Sequence, residues 1–254
     1  MKEKDHVQEV FSKSKEKYVS SSTHSNGSDL PLLIKWLSPE PNMTVLDIAT
    51  GGGHVAKRLS PYVERVIAAD LTKDMLENTA SHLSLYKNID YIIADAENLP
   101  FLDHTFDTIT CRIAAHHFPN PEKFISEVQR VLKYDGEFLL IDNIASENPL
   151  YSNFINKLEK ERDYSHVRSL KISEWKKLLN ENNLIITDNQ ERKKTLPFEE
   201  WINRTLDYEE DKVKISKFIL NASNEIKNYF NIQIENNIIQ SFTIDEWMVL
   251  CKKK

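Results

Sequence analysis

The sequence predicts an α/β protein built on a doubly wound, mostly parallel sheet with helices on both faces. Apolar, strand-like runs alternate with helix-compatible stretches between positions 43 and 143, and this alternation is typical of parallel α/β sheets. Three of the chain's five glycines are consecutive and directly follow the first apolar run. Aspartates stand at or near the ends of the first three runs. In such sheets, ligands bind outside the carboxyl ends of the strands.

Composition limits the class of protein. The 254 residues carry 40% hydrophobic and 28% charged side chains, which suits one globular domain over residues 1–254. The net charge of −6 offers no electrostatic surface for nucleic acid. No apolar run approaches the ~20 residues that span a membrane, and the N-terminus lacks the apolar core of a signal peptide. Cys111 and Cys251 have neither metal-ligand nor disulfide spacing, so we expect no metal and a cytoplasmic location.

The N-terminal 40 residues are expected to form two helices joined by a polar stretch. Residues 7–18 are charged and helix-compatible, whereas residues 19–29 are rich in Ser, Thr and Asn, a composition typical of loops. This stretch is either an unstructured linker or a mobile lid that brings Tyr18 and His24 over the site. Asp29 is expected to cap the second helix.

Residues 41–145 contain the regular part of the pattern and are expected to form the ligand-binding core. Strands are predicted at residues 43–48, 65–69, 89–94, 106–111 and 137–143. Helices are predicted between them at residues 53–60, 72–86 and 121–132. Thr72 is expected to cap the second of these helices, and Pro121 begins the third.

Residues 146–254 are less regular and are expected to form the substrate side of the site. Helices are predicted at residues 150–163, 173–182, 198–205 and 208–230, and strands at 184–187, 231–234, 238–242 and 247–251. The turn Glu235-Asn236-Asn237 suggests a hairpin. Tyr164, Trp175 and Trp201 favour a partly apolar substrate, although core packing explains them equally well.

The glycine turn is the strongest local signal of a ligand site. Glycines after a buried strand let the backbone approach a ligand at the positive N-terminus of the following helix. One glycine would satisfy a bare turn, and three in so glycine-poor a chain are hard to explain that way. The pattern Gly51-x-Gly53-x-x-Ala56 also leaves a nicotinamide oxidoreductase as an alternative. Asp47 would repel a pyrophosphate but suits a cationic group.

Four further residues near the strand ends are candidates for the site. Asp70 is placed to accept hydrogen bonds from two ribose hydroxyls; alternatively it caps the next helix, although Thr72 is expected to do so. Asp95 either accepts from an adenine amino group or is a solvated turn residue. His116 and His117 either face a reacting group and its substrate, or are one core histidine and one exposed histidine.

Three motifs together resemble those of class I S-adenosylmethionine (AdoMet)-dependent methyltransferases. They are Leu-Asp-Ile-Ala-Thr-Gly-Gly-Gly at 46–53, Asp-Ala-Glu-Asn-Leu-Pro-Phe at 95–101 and Cys-Arg-Ile-Ala-Ala-His-His-Phe at 111–118. The resemblance implies a Rossmann-like, seven-stranded sheet, mostly parallel with an antiparallel last strand, and AdoMet as cofactor. It departs at position 49, where many members have glycine. The cofactor-binding residues that it implies are Asp47, Ala49, Gly51, Gly53, Asp70, Leu71, Met75, Asp95, Ala96, Glu97 and, through its backbone, Arg112.

In detail the chain is similar to the type-11 branch of these enzymes, and its core to the ubiquinone/menaquinone methyltransferases. The similarity to the quinone enzymes ends near residue 145, so their substrate is not implied. The resemblance implies methyl transfer to a small-molecule acceptor by in-line displacement, with His116, His117, His24 or Asp142 as candidate bases. A non-catalytic AdoMet-binding protein is a second alternative, because no catalytic residue is obligatory in this fold.

Overall fold

The computed structural model describes residues 2–20 and 27–254, without the side chains of residues 17–20. The side chain of Tyr18 and the whole of His24, which the sequence suggests for a lid, therefore lie outside the described residues.

Within the described residues, eight strands form one sheet. They are β1 (Thr44–Ile48), β2 (Arg65–Asp70), β3 (Ile89–Ile93), β4 (Phe106–Arg112), β5 (Leu132–Ile144), β6 (Leu184–Pro197), β7 (Gln233–Glu235) and β8 (Ile238–Lys253). Their order is β3-β2-β1-β4-β5-β8-β6, and the short β7 pairs with β8 off this path. Strands β1 to β5 pair in parallel, and β8 is antiparallel to both β5 and β6. The doubly wound, mostly parallel prediction is confirmed.

The strand count differs from expectation. The seven expected strands form the main path, and β7 is an additional hairpin strand. The last strand, β8, is antiparallel as expected, and it lies between β5 and β6. It brings the C-terminal end of the chain into the sheet.

Ten α-helices are described around the sheet. They are α1 (Lys2–Ser20), α2 (Asp29–Leu37), α3 (His54–Leu59), α4 (Lys73–His82), α5 (Pro121–Val131), α6 (Pro149–Arg162), α7 (Ile172–Glu181), α8 (Phe198–Ile202), α9 (Glu209–Leu220) and α10 (Asn224–Tyr229). None of these described helices has the length and apolar character that a membrane span needs.

Apolar side chains cover both faces of the central strands. Leu46 and Ile67 belong to a core that includes apolar residues of α5 and α7, whereas Val45 and Val66 belong to a core that includes those of α2 and α3. Successive side chains of a strand point to opposite faces, so each strand contributes to both cores. Burial on both faces explains why these strands are continuous apolar runs in the sequence.

Two predictions beyond residue 183 are wrong in extent, and a third was open at its end. Strand β6 starts at Leu184 as expected and continues to Pro197, because its polar middle is held by pairing with β8. The runs predicted at 238–242 and 247–251 form one strand, β8. The helix predicted at 208–230 is two helices, since the Ser223 hydroxyl accepts from the Ile226 N–H and begins α10. Together with α6, these elements enclose a third apolar core.

Candidate functional site

A cavity lies at the carboxyl ends of the central strands, where the sequence predicts the ligand site. Nine of the eleven residues assigned to the cofactor line it, namely Asp47, Ala49, Gly51, Asp70, Leu71, Asp95, Ala96, Glu97 and Arg112. Gly53 and Met75 do not line it. Met75 is fully buried in α4.

The glycine turn joins β1 to α3 through left-handed backbone conformations. The φ angles are +53° at Ala49, +51° at Gly51 and +73° at Gly53. A Cβ on Gly53 would lie 2.5 Å from a methyl carbon of Thr79 and 2.6 Å from one of Leu83, whereas a Cβ on Gly51 would meet only the Ala49 carbonyl oxygen, at 4.0 Å. Gly53 therefore lets the turn pack against α4, and Gly51 leaves space at the cavity.

Asp47 is a buried carboxylate in the cavity wall. Its two oxygens accept hydrogen bonds from the hydroxyls of Thr50, at 2.6 Å, and Thr110, at 2.8 Å. Burial raises the pKa of Asp47 to about 6 in spite of these bonds. A carboxylate has further lone pairs for donors, and a cationic group beside it would offset the cost of burying its charge.

Asp70 supports the turn and also faces the cavity. One of its oxygens accepts from the Gly51 N–H at 3.0 Å, and the other accepts from the Thr72 N–H at 2.9 Å. Thr72 is the residue before α4, but its side chain makes no capping hydrogen bond and its buried hydroxyl has no partner in the described structure. Thr72 therefore occupies the predicted N-cap position, but its side chain does not cap the helix.

Helix α1 covers the cavity and brings a cation to its acidic side. The Lys4 ammonium lies 2.6 Å from a carboxylate oxygen of Asp95 and 2.7 Å from one of Glu97. Val7 and Phe11 line the same cavity. This cover was not predicted from the sequence, although Lys4, Val7 and Phe11 stand at the three- and four-residue spacing that places side chains on one helical face.

Arg112 and Asp29 form a buried bidentate ion pair. The Arg112 Nη2 donates to Asp29 Oδ1 at 3.0 Å, and its Nε donates to Oδ2. Burial opposes ionisation, but the guanidinium lowers the pKa of Asp29 overall. The prediction that Asp29 caps α2 is therefore wrong: Ser28 occupies the cap position, and the carboxylate ties α2 to the end of β4.

His116 forms a buried pair with Asp142 at the end of β5. Its Nδ1 lies 2.6 Å from Asp142 Oδ1, and its backbone N–H donates to Oδ2 at 2.9 Å. Burial alone would lower the pKa of His116, but the charge and hydrogen bond of Asp142 raise it overall. With Nδ1 engaged, Nε2 is the ring nitrogen left to take a proton.

His117 lies in a different electrostatic environment. Ser165 donates its hydroxyl proton to Asp163 at 2.5 Å, so its oxygen accepts from His117 Nδ1 at 3.2 Å. Burial and the neighbouring charge of His116, whose ring centroid is 4.4 Å away, lower the pKa of His117 to about 4. His117 is therefore neutral near pH 7, with a bare Nε2.

His117 connects two cavities. His117 lines the cavity described above, and both histidines line a second cavity that also shares Phe11 and Ile113 with the first. His116 does not line the first cavity. No group of three or more His, Cys, Asp or Glu within the described ranges is arranged to hold a metal ion.

Comparisons with known proteins agree on one family. The family described as a methyltransferase domain matches residues 46–140. YcgJ of Bacillus subtilis (strain 168), named as an uncharacterized methyltransferase, is 39% identical over 229 residues, which cover 89% of this chain and 90% of that protein. UbiE of Rickettsia typhi, a ubiquinone/menaquinone biosynthesis C-methyltransferase, is 34% identical over 113 residues, which cover 41% of this chain and 46% of that protein.

Two crystal structures are similar over most of the chain. That of BH2331 from Bacillus halodurans C-125 has a TM-score of 0.86 and 42% identity, covering 89% of this chain and 99% of that chain. That of YcgJ has a TM-score of 0.85 and 38% identity, covering 89% of this chain and 97% of that chain.

Proposed function

The chain belongs to the methyltransferase domain family, which confirms the resemblance of its motifs, and on this premise we propose that it transfers a methyl group from AdoMet to a small-molecule acceptor. The observation that carries the proposal is the first cavity, which brings the glycine turn and four carboxylates, Asp47, Asp70, Asp95 and Glu97, to one edge of the sheet. AdoMet supplies a methyl group on a positively charged sulfur, which leaves by in-line displacement.

The residues of this cavity fit AdoMet better than a dinucleotide. Asp47 is buried and has a raised pKa, so a cationic amino group beside it would stabilise its ionised form. Asp70 has acceptor capacity beyond its two backbone donors, which suits ribose hydroxyls. Acidic side chains around the glycine turn would repel the pyrophosphate of a nicotinamide cofactor.

His116 is the base that the structure favours for an acceptor with a proton to lose. Its raised pKa makes it a stronger base than His117, whose pKa is lowered to about 4. Asp142 holds the imidazole by Nδ1 and stabilises the imidazolium that forms when Nε2 takes the proton. His117, neutral and shared by both cavities, then serves as a hydrogen-bond acceptor at their junction.

Helix α1 would exclude water from the reacting groups. Val7 and Phe11 cover the first cavity, and the Phe11 ring meets the His117 ring edge-on at a centroid distance of 5.2 Å. Excluding water strengthens electrostatic interactions within a site. Because Lys4 holds Asp95 and Glu97, an adenine amino group reaching Asp95 would have to share or displace this ammonium.

Calorimetry with AdoMet, S-adenosylhomocysteine and NAD tests the proposal. We expect binding of the first two and none of NAD. Release of S-adenosylhomocysteine in the presence of a panel of hydroxylated, aminated and thiol acceptors then tests turnover. Binding of NAD in place of AdoMet would favour an oxidoreductase, and AdoMet binding without turnover on any acceptor would favour a non-catalytic protein.

A further inference from the structure

The second cavity lies beside the first and is the one that the proposed base lines. His116 and His117 form part of its wall, together with residues of α1, α6, β6, α8 and β8. Phe11, Ile113 and His117 line both cavities. A molecule in the second cavity would therefore lie next to the proposed cofactor, with the two neighbouring imidazoles along its wall.

Both imidazoles are held by Nδ1, but by different groups. The Asp142 carboxylate holds His116 at 2.6 Å, whereas the Ser165 hydroxyl holds His117 at 3.2 Å. Ser165 gives its own proton to Asp163 at 2.5 Å, so its oxygen can only accept from His117. The proton of neutral His117 is therefore on Nδ1, and its Nε2 is a hydrogen-bond acceptor.

The segment that carries Ser165 is anchored beside the two histidines. The backbone N–H groups of Val167 and Arg168 both donate to the His116 carbonyl, each at 3.0 Å. Asp163 and Ser165 are buried, and the Asp163 oxygen that accepts from the Ser165 hydroxyl also accepts from the Ser165 N–H at 2.9 Å. The hydroxyl is thus fixed in position next to His117.

Two acceptor nitrogens are consequently presented side by side. In the neutral form of His116, as in His117, Nε2 is the bare nitrogen, and neither Nε2 has a hydrogen-bond partner within the described part of the chain. The ring centroids are 4.4 Å apart, and both residues are buried. Two donors on adjacent atoms of one small molecule can reach both nitrogens and would offset the cost of leaving them unpaired.

A phenolic hydroxyl is the donor that suits this pair best. Its pKa of about 10 is far closer to that of a histidine than the pKa of an aliphatic alcohol is, which favours proton transfer to the base. An alkylamine is cationic at neutral pH, and its charge would oppose protonation of His116. A thiol is only a weak donor. Phe11 and Trp201 in the cavity wall provide aromatic surface for a ring.

We propose that the methyl acceptor is an aromatic ring with hydroxyls on two adjacent carbons, one bound by His116 and the other by His117. This inference rests on the proposed function, because it names the acceptor of the same site. Asp163 and Ser165 are positioning residues, since they keep His117 in the form that accepts a hydrogen bond.

The two hydroxyls have different fates in the reaction. His116 Nε2 takes the proton of the first hydroxyl, whose oxygen forms the new bond to the methyl carbon. The electron pair of the broken carbon–sulfur bond stays on sulfur, so S-adenosylhomocysteine leaves without the positive charge. The second hydroxyl keeps its proton and donates to His117 Nε2, which fixes the ring in the cavity.

Titration of phenols into the protein saturated with S-adenosylhomocysteine tests the acceptor class. The probes are catechol, resorcinol and hydroquinone, whose two hydroxyls stand on adjacent, alternate and opposite carbons, and phenol, which has one. We expect catechol to bind about fivefold or more tightly than each of the others, the scale of one additional hydrogen bond. With AdoMet, catechol should yield 2-methoxyphenol, detected by mass spectrometry. Equal affinities for catechol and its two isomers, or binding of none of the four, would overturn the inference.

Variants assign the second hydroxyl to His117. His117→Phe should abolish the preference for catechol over phenol, and Ser165→Ala should reduce it to about twofold or less, because Nδ1 loses its acceptor. General loosening of the structure would weaken both ligands alike, so the ratio of affinities reports on positioning.

Ser169→Ala is the matched control. This serine is also buried in the same segment, but it bonds to Asn156 through its backbone groups, so its variant should keep the full preference. Ser165→Ala decides the matter if His117→Phe does not fold. A catechol preference that both the Ser165 and His117 variants retain would overturn the assignment.

The same samples separate this inference from the proposed function. If the unaltered protein binds neither AdoMet nor S-adenosylhomocysteine, the proposed function is wrong and this inference is wrong with it. If it binds them but binds catechol no more tightly than resorcinol and hydroquinone, only the acceptor class is wrong.

Discussion

At the scale of single residues, Gly51 and Gly53 have different roles in the turn after β1. Both have positive φ angles, but only Gly53 is crowded, by Thr79 and Leu83. Gly53→Ala should lower the free energy of unfolding by about 2–5 kcal/mol, because backbone strain and overpacking add. Gly51→Ala should cost only about 1–2 kcal/mol of strain but should weaken AdoMet binding, since it adds a methyl group at the cavity wall.

Urea unfolding and AdoMet calorimetry on both glycine variants check this contrast. Equal losses of stability in the two variants, or an unchanged AdoMet affinity in Gly51→Ala, would contradict it.

Asp70 is the carboxylate for which we predict the largest direct contribution to cofactor affinity. Asp70→Ala should weaken AdoMet binding by about 1.5–3 kcal/mol, the scale of hydrogen bonds to a charged acceptor. Part of the loss comes from the turn, because Asp70 also holds the Gly51 N–H. Asp90→Ala, which removes a half-exposed carboxylate from the neighbouring strand β3, is the control. If Asp70→Ala leaves the AdoMet affinity unchanged, the assignment of Asp70 to cofactor binding is wrong.

The pH dependence of turnover is set by His116 if it is the base. Its pKa is raised above 6.5, so turnover should increase as pH rises through that raised pKa and the imidazole becomes neutral. Asp142→Asn removes the charge that raises the pKa and leaves burial, which lowers it. The ascending limb should then move to lower pH, while the maximal rate falls by about 100-fold or more, because the imidazole becomes a weaker base and loses the carboxylate that orients it.

The His116–Asp142 pair gives the free energy of unfolding the opposite pH dependence. Because the folded-state pKa of His116 is raised, its pairing with Asp142 stabilises the protein below pH ~6.5, and this contribution is lost as pH rises through the folded-state pKa. Urea unfolding of the native protein and of Asp142→Asn, each at acidic and at alkaline pH, measures this contribution. Asp163→Asn is the control for the rate profile. Asp163 raises the pKa of His116 less than Asp142 does, and its carboxylate accepts from Ser165 beside His117. A shift equal to that of Asp142→Asn would therefore argue against His116 as the base.

At the scale of elements, α1 is the cover of the first cavity. Its apolar face turns Val7 and Phe11 inward, while Lys13 is 67% exposed on another face. Phe11→Ala should speed dissociation of S-adenosylhomocysteine by about tenfold, because a partly buried aromatic contact worth about 1–2 kcal/mol is lost. Lys13→Ala should leave the rate unchanged. Stopped-flow displacement compares the two, and equal dissociation rates would show that α1 does not retain the ligand.

The lid expected at residues 18–29 stays a prediction beside this cover. Hydrogen exchange with and without AdoMet distinguishes a lid from a linker. Protection of residues 18–29 on binding supports a lid, and identical fast exchange in both states supports a linker. Deleting residues 7–29 removes part of α1 and also Asp29, the buried partner of Arg112. It should therefore reduce turnover and also lower the free energy of unfolding, because the buried guanidinium loses this carboxylate.

At the scale of the whole molecule, charge decides which partners are attracted. The net charge of the chain is −6, which repels the phosphates of nucleic acid. We therefore expect no binding to duplex DNA or tRNA at micromolar concentration. Gel-shift titration at low and high salt checks this expectation, and salt-sensitive binding would count against it. The cytoplasmic location also stays a prediction.

The sequence by itself determined the core sheet and the position of the first cavity. Strands β1 to β4 are short and buried, so their apolar runs are visible locally, and parallel strands bring Asp47, Asp70 and Asp95 to one edge whatever surrounds them. The glycine turn is also visible locally, as three consecutive glycines after an apolar run, although the contacts of Gly51 with Asp70 and of Gly53 with Thr79 are tertiary.

Only the tertiary structure decided what covers and completes the site. Lys4 meets Asp95 across 91 positions, and Asp29 meets Arg112 across 83, so neither pair leaves a periodic signal in the chain. Polar strand β6 is held by pairing with β8 rather than by its own composition, and it brings Lys194 to the second cavity. Such contacts join residues far apart in sequence, and the physical reason for them lies in packing and charge that no local pattern records.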